Sequence, residues 1–381
     1  MRDVPIVSII LTSYNHDKYI GDAIQSVLDQ TFQEFELIII DDCSSDGSWD
    51  IITSFRDPRI IAQRYNVRCR GAQWINETIE TRARGKYISI HHSDDMLHPE
   101  KTAKQVAYLE AHSEIGAVFS SVDVIDENGL PFEDSGHFYF SIFRQKNRSR
   151  YEWLRHFYYY GNCLCHPSIL IRKECYENVG LYNPFYGSLP DFDMWVRLCL
   201  KYDIYVFEEP MISFRVFSNN INTSASTPET AVRVYNEYRH IIRNYLKISS
   251  VEELKQIFPG VVKIKVDEPE LIPYELARIS LNSESNRAVL NDFGINLIYE
   301  LINGTDNDYI KYVIGYDYLQ LIEKSSQIDV RNYCEIIQLK DKLSRSEALI
   351  SDMSKSLSLR LAIFFSKALD GFKQRILNWR K

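Results

Sequence analysis

A short apolar run that ends in two adjacent carboxylates constrains this chain more than any other feature. Residues 87–101 read YISIHHSDDMLHPEK, in which the apolar stretch from Tyr87 predicts a strand. Asp94 and Asp95 follow that strand directly, and the Pro-Glu pair after them is typical of a helix start. Because open α/β sheets bind ligands outside the carboxyl ends of their strands, both acids lie where a binding site is expected.

The pair Asp94 and Asp95 has two interpretations from the residues alone. Two hard oxygen donors facing a cleft suit Mg²⁺ or Mn²⁺ when a diphosphate supplies the remaining ligands. Aspartate is also common in solvated turns that precede helices, for reasons unrelated to metals. The residues themselves leave both interpretations open.

The preceding residues repeat the same pattern of strand and polar tip. Residues 6–11 and 35–40 are nearly continuous apolar runs, typical of strands buried on both faces, with an amphipathic helix predicted between them. A strand, a helix and a parallel strand form a right-handed unit, so both tips lie at one edge of the sheet. We therefore expect Thr12, Tyr14 and Asp42 to be neighbours in space.

The alternation of strands and helices continues along the chain. Further strands are predicted near 59–63, 87–91, 117–121 and 166–172, and further helices near 71–81, 99–112 and 191–197. Residues 122–160 have no clean period, and we interpret them as insertions and a hairpin over the sheet. The pattern is that of a doubly wound α/β domain without the GxGxxG or GxxxxGK[ST] fingerprints.

Composition excludes several classes of protein. The 381 residues are 45% hydrophobic and 25% charged, which is ordinary for a globular chain with one large and one smaller domain. A net charge of −8 argues against a nucleic-acid partner, because phosphate binding relies on an excess of Lys and Arg. Seven irregularly spaced cysteines favour a reducing compartment, and no signal peptide or membrane span is predicted. We therefore expect a cytoplasmic protein.

Two further clusters have both a structural and a functional interpretation. The Cys-x-Cys-His cluster at 163–166 resembles half of a zinc site without a second half, which favours small buried residues on a strand. Ser188 and Asp191 have the spacing of a helix capping box, whereas Asp191 could instead act as a general base. Asp193 lies on another side of that helix, so only one of the two acids is expected to face a substrate.

Taken together, five segments in this order resemble the inverting glycosyltransferases of family 2, which have the A-type nucleotide-sugar fold. The resemblance covers about residues 4–220 and includes the following segments: VSIILTSYN at 7–15, FELIIIDDCSSDGS at 35–48, GKYISIHHSDDMLHPEK at 85–101, HPSILIRKECYENVG at 166–180 and PDFDMWVRL at 190–198. It implies a Rossmann-like, mostly parallel sheet flanked by helices. Beyond it, the sequence predicts a C-terminal helical region.

The resemblance implies a set of donor-binding residues. Thr12 and Tyr14 would line the nucleoside pocket, together with Asn15 from the same segment. Asp42 would accept a hydrogen bond from uracil, and Asp94 would hold the ribose and diphosphate. The implied donor is therefore a nucleotide sugar, with a UDP-sugar favoured.

The resemblance also implies a metal ligand and a base, with three departures from the family pattern. Asp95 would be the direct ligand of Mn²⁺ or Mg²⁺, and Asp191 would be the catalytic base, which favours the base over the capping box. The family often has an acid where His92 stands, a Glu where Pro190 stands and a His where Phe217 stands. These differences bear on the metal site and on the orientation of the base.

The implied function is metal-dependent, inverting transfer of a sugar to a glycan or lipid-linked glycan in bacterial surface polysaccharide synthesis, such as capsule or O-antigen. The alternative is a catalytically weakened sugar-nucleotide-binding or scaffold subunit, which the three departures keep open. Nucleotidyl transfer is a further enzyme class with metal-bound carboxylates. It would require a glycine-rich basic loop after the first strand, and the segment TSYNHDKY has no glycine.

The predicted domains are a catalytic domain at 1–245, a helical accessory region at 246–333, and a helical stalk with a basic amphipathic tail at 334–381. From residue 360 onward the tail has six basic residues against one acid, and its apolar residues fall on one helical face. Such helices lie in the interface of anionic membranes, which would place the protein at the inner face of the cytoplasmic membrane. The other interpretation is a helix that packs on protein.

Overall fold

The computed structural model describes most of the chain, which divides into two compact units at residues 1–317 and 318–381. The described residues are 4–69, 72–133, 137–217, 227–283, 288–302, 318–327, 333–355, 365–367 and 369.

Eight strands of the first unit form a single mixed sheet. They are β1 (Val7–Ser13), β2 (Phe35–Asp41), β3 (Ile60–Arg64), β4 (Tyr87–His92), β5 (Met96–Leu97), β6 (Ile115–Ile125), β7 (Leu170–Arg172) and β8 (Asp203–Arg215). Their order across the sheet is β3-β2-β1-β4-β7-β6-β8-β5. The pairs from β3 to β4 are parallel, β7 runs antiparallel to both β4 and β6, and β6 and β8 are parallel again.

Helices flank this sheet and continue beyond it. Those described in the first unit are α1 (Ile20–Leu28), α2 (Ser48–Ser54), α3 (Gln73–Thr81), α4 (Lys101–Ala111), α5 (Phe138–Ile142), α6 (Arg150–Tyr160), α7 (Lys173–Val179), α8 (Pro190–Cys199), α9 (Pro228–Ile241), α10 (Val251–Ile257), α11 (Ile272–Leu281) and α12 (Ala288–Ile302). A 3₁₀ helix, Ile242–Lys247, follows α9 directly. The predicted fold class, with its C-terminal helical region, is confirmed.

The centre of the sheet forms where the apolar runs predicted it. β1 and β2 are buried on both faces, and the four buried residues of α1 recur at spacings of three or four. Val7, Ile9 and Leu11 on one face of β1 share a core cluster with Ile24 and Val27 of α1. This packing fixes β1 as a central strand, so its polar tip lies between those of its neighbours.

The interpretation of 122–160 as insertions and a hairpin is wrong in its second half, which contains α5 and α6. The aromatic residues of α6 obscure its helical pattern in the sequence. Its start is a capping box formed by Ser149 and Glu152, in which each side chain bonds the other's backbone N–H. Trp153 and Phe157 lie one turn apart on its buried face. The helix is therefore stabilised by its cap and by tertiary burial.

The strand predicted at 166–172 is shorter than expected. Its first part, His166–Ser168, is a 3₁₀ helix that contains Pro167, and only Leu170–Arg172 pairs in the sheet. Proline lacks the N–H that a central strand donates, which explains the late start. Cys163 and Cys165 are buried free thiols in the preceding segment, as the structural interpretation predicted, but they do not lie on a strand.

The C-terminal helices fall into both units. Helices α9 to α12 belong to the first unit. The second unit contains α13 (Tyr318–Gln327) and α14 (Tyr333–Lys355), so the segment predicted as a stalk is helical. The basic tail at 360–381 lies outside the described residues except for 365–367 and 369. No described helix is both long and apolar enough to cross a membrane.

A network of polar contacts joins the amino ends of the central strands. The hydroxyl of Ser8 donates to Glu36 at 2.6 Å and accepts the N–H of Gly85 at 2.8 Å, while Arg84 pairs with Glu36 at 2.7 Å. A Cβ atom on Gly85 would lie 2.4 Å from the backbone nitrogen of Ser8. Only glycine fits between β1 and the start of β4 without moving a backbone.

We expect Gly85→Ala to lower the free energy of unfolding by about 1–3 kcal/mol, the usual cost of overpacking a core. Urea denaturation followed by circular dichroism measures the change. Gly21→Ala is the matched control, because its new Cβ would meet Ile51 at an ordinary 3.8 Å. Equal stability of Gly85→Ala and Gly21→Ala would contradict the packing argument.

Candidate active site

The carboxyl ends of β1, β2 and β4 meet at one edge of the sheet. Thr12 is in register with Ile40 of β2 and with His92 of β4, and the N–H of Asp42 donates to the Ser13 carbonyl at 2.8 Å. The expected proximity of Thr12 and Asp42 is therefore present.

Tyr14 and Asn15 form the loop that leaves β1. The guanidinium of Arg68 lies 3.4 Å from the centroid of the Tyr14 ring, and it covers one face of the ring. Asn15 has a φ of 51°, a left-handed conformation that asparagine tolerates better than most residues. Its side-chain oxygen accepts the N–H of Ser45 at 2.8 Å, and its own N–H donates to Ser44 at 3.0 Å. Asn15 thus joins the tips of β1 and β2.

Asp42 stands beside a stacked aromatic pair. Its Oδ1 accepts hydrogen bonds from the Cys69 N–H at 2.7 Å and from Trp74 Nε1 at 2.9 Å. The Trp74 ring stacks on Tyr65 with centroids 3.8 Å apart. The carboxylate is therefore held rigidly next to flat apolar rings, and its contact to uracil remains a prediction.

His92, Asp94 and Asp95 form a cluster that can hold a divalent cation. One ligand atom of each lies within 4.8 Å of the other two. Asp95 is only 2% exposed, and burial, together with the charge of Asp94, raises its pKa well above the ordinary value against the opposing effect of Arg215. A buried carboxylate beside a second carboxylate and an imidazole is a donor set that fits a divalent metal ion. His92, which replaces an acid, keeps a potential ligand at its position.

Arg215 at the end of β8 holds the turn that carries these acids. Its backbone N–H donates to Asp95 Oδ1 at 2.9 Å, and its Nε donates to the Asp94 carbonyl at 2.8 Å. Its guanidinium also lies 4.7 Å from the centroid of Tyr19. The last strand segment before residue 217 therefore fixes the orientation of Asp95.

A second histidine, missed in the sequence, lies near Phe217. His16 Nδ1 is 2.8 Å from the hydroxyl of Ser93, which precedes the two acids. The ring centroid of Phe217 is 6.5 Å from that of His16 and 5.3 Å from that of Tyr19. Where the resemblance leads one to expect a histidine at 217, this chain has an imidazole from the loop after β1. The sequence signal was its position directly after Asn15.

Asp191 lies in the first turn of α8 and is held by one amide. Asn162 Nδ2 donates to Asp191 Oδ2 at 2.8 Å, and the Leu164 N–H donates to Asn162 Oδ1 at 3.1 Å, which fixes the amide orientation. The capping-box interpretation is wrong. Leu189 is the N-cap residue and has no polar side chain, while Ser188 Oγ is buried without a hydrogen-bond partner among the described residues. Nothing in the sequence around Asn162 singled it out.

Asp193 faces away from Asp191, as its spacing predicted. Its Oδ2 pairs with Arg197 at 2.7 Å, and its Oδ1 accepts from Asn244 Nδ2 at 2.9 Å. Both of its oxygens are used within the fold. Asp191 is therefore the acid of this pair that is suited to act on a substrate.

The environment of Asp191 suits a general base. Desolvation raises the pKa of Asp191 to about 6, and the nearby charge of Glu237 acts in the same direction. Hydrogen bonds from the Phe192 backbone and from Asn162 oppose this rise. A pKa near neutrality gives a base that is both ionised and basic at working pH.

His166 lies between the acid cluster and α8. Its ring centroid is 5.3 Å from that of His92 and 5.7 Å from that of Trp195 on α8. Its Nε2 is 3.1 Å from the hydroxyl of Tyr182. One imidazole thus connects the two parts of the site. In the sequence, no pattern predicted a functional role for His166 beyond that of an incomplete zinc motif.

Comparison with known proteins shows which family and which fold this chain is similar to. Residues 8–172 match the family model described as glycosyl transferase family 2. The chain is 29% identical over 242 residues to TuaG of Bacillus subtilis, a putative teichuronic acid biosynthesis glycosyltransferase; the match covers 63% of this chain and 89% of TuaG. It is 38% identical over 105 residues to WfaP of Escherichia coli, a UDP-Glc:alpha-D-GlcNAc-diphosphoundecaprenol beta-1,3-glucosyltransferase; this match covers 28% of this chain and 41% of WfaP.

A solved structure shares the fold. Staphylococcus aureus TarS 1-349 in complex with UDP-GlcNAc is similar with a TM-score of 0.53 at 16% identity. The similarity covers 86% of this chain and 91% of that chain. At this level of identity, the comparison shows the A-type fold.

We expect Asn162→Ala to raise the pKa of Asp191 above 6, because the lost hydrogen bond stabilises the ionised carboxylate. The midpoint is measured by NMR titration of ¹³Cγ-labelled aspartate, with the Asp191 signal assigned from Asp191→Asn. Asn178→Ala is the control, since Asn178 bonds Tyr202 instead and should leave the midpoint unchanged. A midpoint that falls or stays fixed in Asn162→Ala would show that Asn162 does not support the charge.

Proposed function

We propose that this chain, whose residues 8–172 match the glycosyl transferase family 2 model, transfers a sugar, with inversion, from a UDP-sugar to a glycan or lipid-linked glycan acceptor in bacterial surface polysaccharide synthesis. The family match and the names of the relatives support glycosyltransferase activity. The donor, the acceptor and the stereochemistry are part of the proposal.

One observation carries the proposal: the cluster of His92, Asp94 and Asp95 and a carboxyl of raised pKa lie on opposite sides of the same imidazole, that of His166. His166 contacts both sides, and burial together with the charges of Asp95 and Asp191 raises the pKa of Cys165 between them. A cation-binding cluster beside a separate base is what displacement of a nucleoside diphosphate by a hydroxyl requires. The arrangement does not favour a noncatalytic scaffold.

The proposed mechanism gives each part of the cleft one task. The tips of β1 and β2, with Thr12, Tyr14, Asn15 and Asp42, bind the nucleoside of the donor. Asp191 accepts the proton of the acceptor hydroxyl while that oxygen attacks the anomeric carbon from the face opposite the leaving diphosphate. The hydrogen bond from Asn162 keeps the Asp191 carboxylate oriented during this transfer.

Mn²⁺ or Mg²⁺ is the proposed cofactor. Asp95, Asp94 and His92 would hold it, and when bound it neutralises charge that develops on the departing diphosphate. Arg215 keeps Asp95 directed toward that position through its backbone N–H. The metal site therefore depends on β8 as well as on the tip of β4.

The relatives support the donor and acceptor classes. The name of WfaP specifies a UDP-sugar donor and a lipid-linked diphosphate acceptor, and TarS was solved with UDP-GlcNAc. TuaG is named as a putative glycosyltransferase of teichuronic acid biosynthesis. An acceptor carried on a lipid would also give a basic tail at 360–381 a membrane to contact, which remains part of the proposal.

We expect Asp191→Asn to keep donor binding and to lose on the order of 10²–10⁴-fold in turnover, because a positioned base contributes about that much. Turnover is measured with the matching UDP-sugar and acceptor, and donor binding by calorimetry with Mn²⁺. Asp22→Asn, on the surface of α1, is the control and should behave as wild type. Near-normal turnover in Asp191→Asn would rule out the assigned role.

We expect His92→Asp to increase the affinity for Mg²⁺ relative to Mn²⁺. Carboxylates suit Mg²⁺, whereas an imidazole ligand favours transition metals. Electron paramagnetic resonance of Mn²⁺ in the presence of UDP, with Mg²⁺ as competitor, measures this preference without turnover. His112→Asn, at the opposite edge of the sheet beyond α4, is the control. An unchanged preference in His92→Asp would mean that His92 is not a ligand.

A further inference from the structure

The loop before the proposed base is held by a carboxylate from a distant helix. Glu237 on α9 accepts the backbone N–H of Gly187 at 2.8 Å, of Ser188 at 3.0 Å and of Leu189 at 2.7 Å. Its side chain is almost fully buried. Three consecutive amides therefore donate to one carboxylate, and hydrogen bonds to a charged acceptor are about twice as strong as neutral ones.

This contact holds the residues that lead into a helix without a side-chain cap. The first N–H groups of a helix have no partner within the helix, and a polar side chain usually accepts one of them. The N-cap residue of α8 is Leu189 and the first helical residue is Pro190, neither of which has a side-chain acceptor. Glu237 instead fixes the three residues that lead into Asp191, and it places a negative charge near the positive end of the helix dipole.

The same segment of the helical region holds the other partner of Asp191. The hydroxyl of Tyr238 donates to the Phe157 carbonyl at 2.7 Å, and that of Tyr245 donates to the Leu154 carbonyl at 2.6 Å. Both carbonyls belong to α6, which ends shortly before Asn162. Helix α9 and the 3₁₀ turn after it therefore hold the two chain segments that determine where the carboxylate and its amide partner meet.

From these contacts we propose that Glu237 is a positioning residue for the glycosyl transfer and that it acts through Asp191 by fixing the loop 187–189. The proposal rests on the function assigned to Asp191 above. It makes α9, which lies outside the family-model match at 8–172, part of the catalytic machinery.

Several titratable groups surround Asp191. Glu237 faces it from α9, and Tyr182 and Cys165 lie on the two segments that pack beside α8. Burial, with a contribution from the charge of Asp191, raises the pKa of both Tyr182 and Cys165. Neither of these two is charged near pH 6. Removal of the Glu237 charge is therefore expected to lower the pKa of Asp191.

The test is Glu237→Gln in the full chain, which keeps the shape of the side chain but removes its charge and leaves an NH₂ group facing backbone donors. We expect kcat to fall about ten- to a hundredfold, the usual effect of misplacing a catalytic group by about 1 Å. The KM for the donor should stay at its wild-type value, because the donor residues lie on the strand tips. The acid limb of the pH profile of kcat should move to lower pH.

Glu300→Gln is the matched control. Glu300 on α12 pairs with Arg243 at 3.0 Å and fastens the same helical region without touching the loop. It should leave kcat and the acid limb unchanged. Wild-type kcat and acid limb in Glu237→Gln, or an equal loss in Glu300→Gln, overturns the proposal.

A second variant tests the proposal if Glu237→Gln does not fold. If circular dichroism shows that Glu237→Gln is unfolded, Glu237→Asp keeps the charge with a shorter reach, and it should lower kcat while leaving the donor KM unchanged. Wild-type kcat in Glu237→Asp then overturns the proposal. Asp191→Asn separates the two claims: if it stays active, the assigned base is wrong, whereas if it is inactive and Glu237→Gln is normal, only the role of Glu237 is wrong.

Discussion

Parallel pairing of β1 with both β2 and β4 is the constraint on which this site depends. It sets Thr12 level with Ile40 and with His92, so that three polar tips end at one edge. Because side chains alternate between the faces of a strand, a shift of one residue would turn every β1 side chain to the opposite face of the sheet. The apolar cluster between β1 and α1 prevents that shift, and the same packing that stabilises the core determines the location of the acids.

The second half of the cleft has a different origin. The antiparallel strand β7 returns the chain after the segment with Asn162 and His166, and α8 then supplies Asp191. Helix α9 and the 3₁₀ turn after it bond to α8 and the loop before it through Glu237 and Asn244, and to α6, which precedes Asn162, through Tyr238 and Tyr245. The strand tips thus supply the residues proposed to bind the donor and the metal ion, and the position of the proposed base depends on packing between helices. The end of the segment predicted as the catalytic domain, which contains α9, thus takes part in forming the site.

The sequence predicted best what depends on local pattern. Continuous apolar runs identified β1, β2 and β4, because a strand buried on both faces is apolar at nearly every position. A spacing of three and four between apolar residues identified α1, because a helix buried on one face has this period. The site residues that the sequence analysis missed interact over long separations. Asn162 and Asp191 are 29 residues apart, and Gly187 and Glu237 are 50 residues apart. No periodicity marks such pairs, and α6 was missed because its aromatic residues favour strands in isolation.

The central claim is that the nucleoside diphosphate and its metal ion occupy the edge formed by β1, β2 and β4. Crystals grown with UDP and Mn²⁺, measured at the manganese absorption edge, test it most directly. The account predicts one anomalous peak in contact with Asp95 and with the diphosphate, and uracil beside Asp42. UDP bound at this edge without manganese at Asp95, or manganese and UDP bound together elsewhere on the chain, would contradict the account.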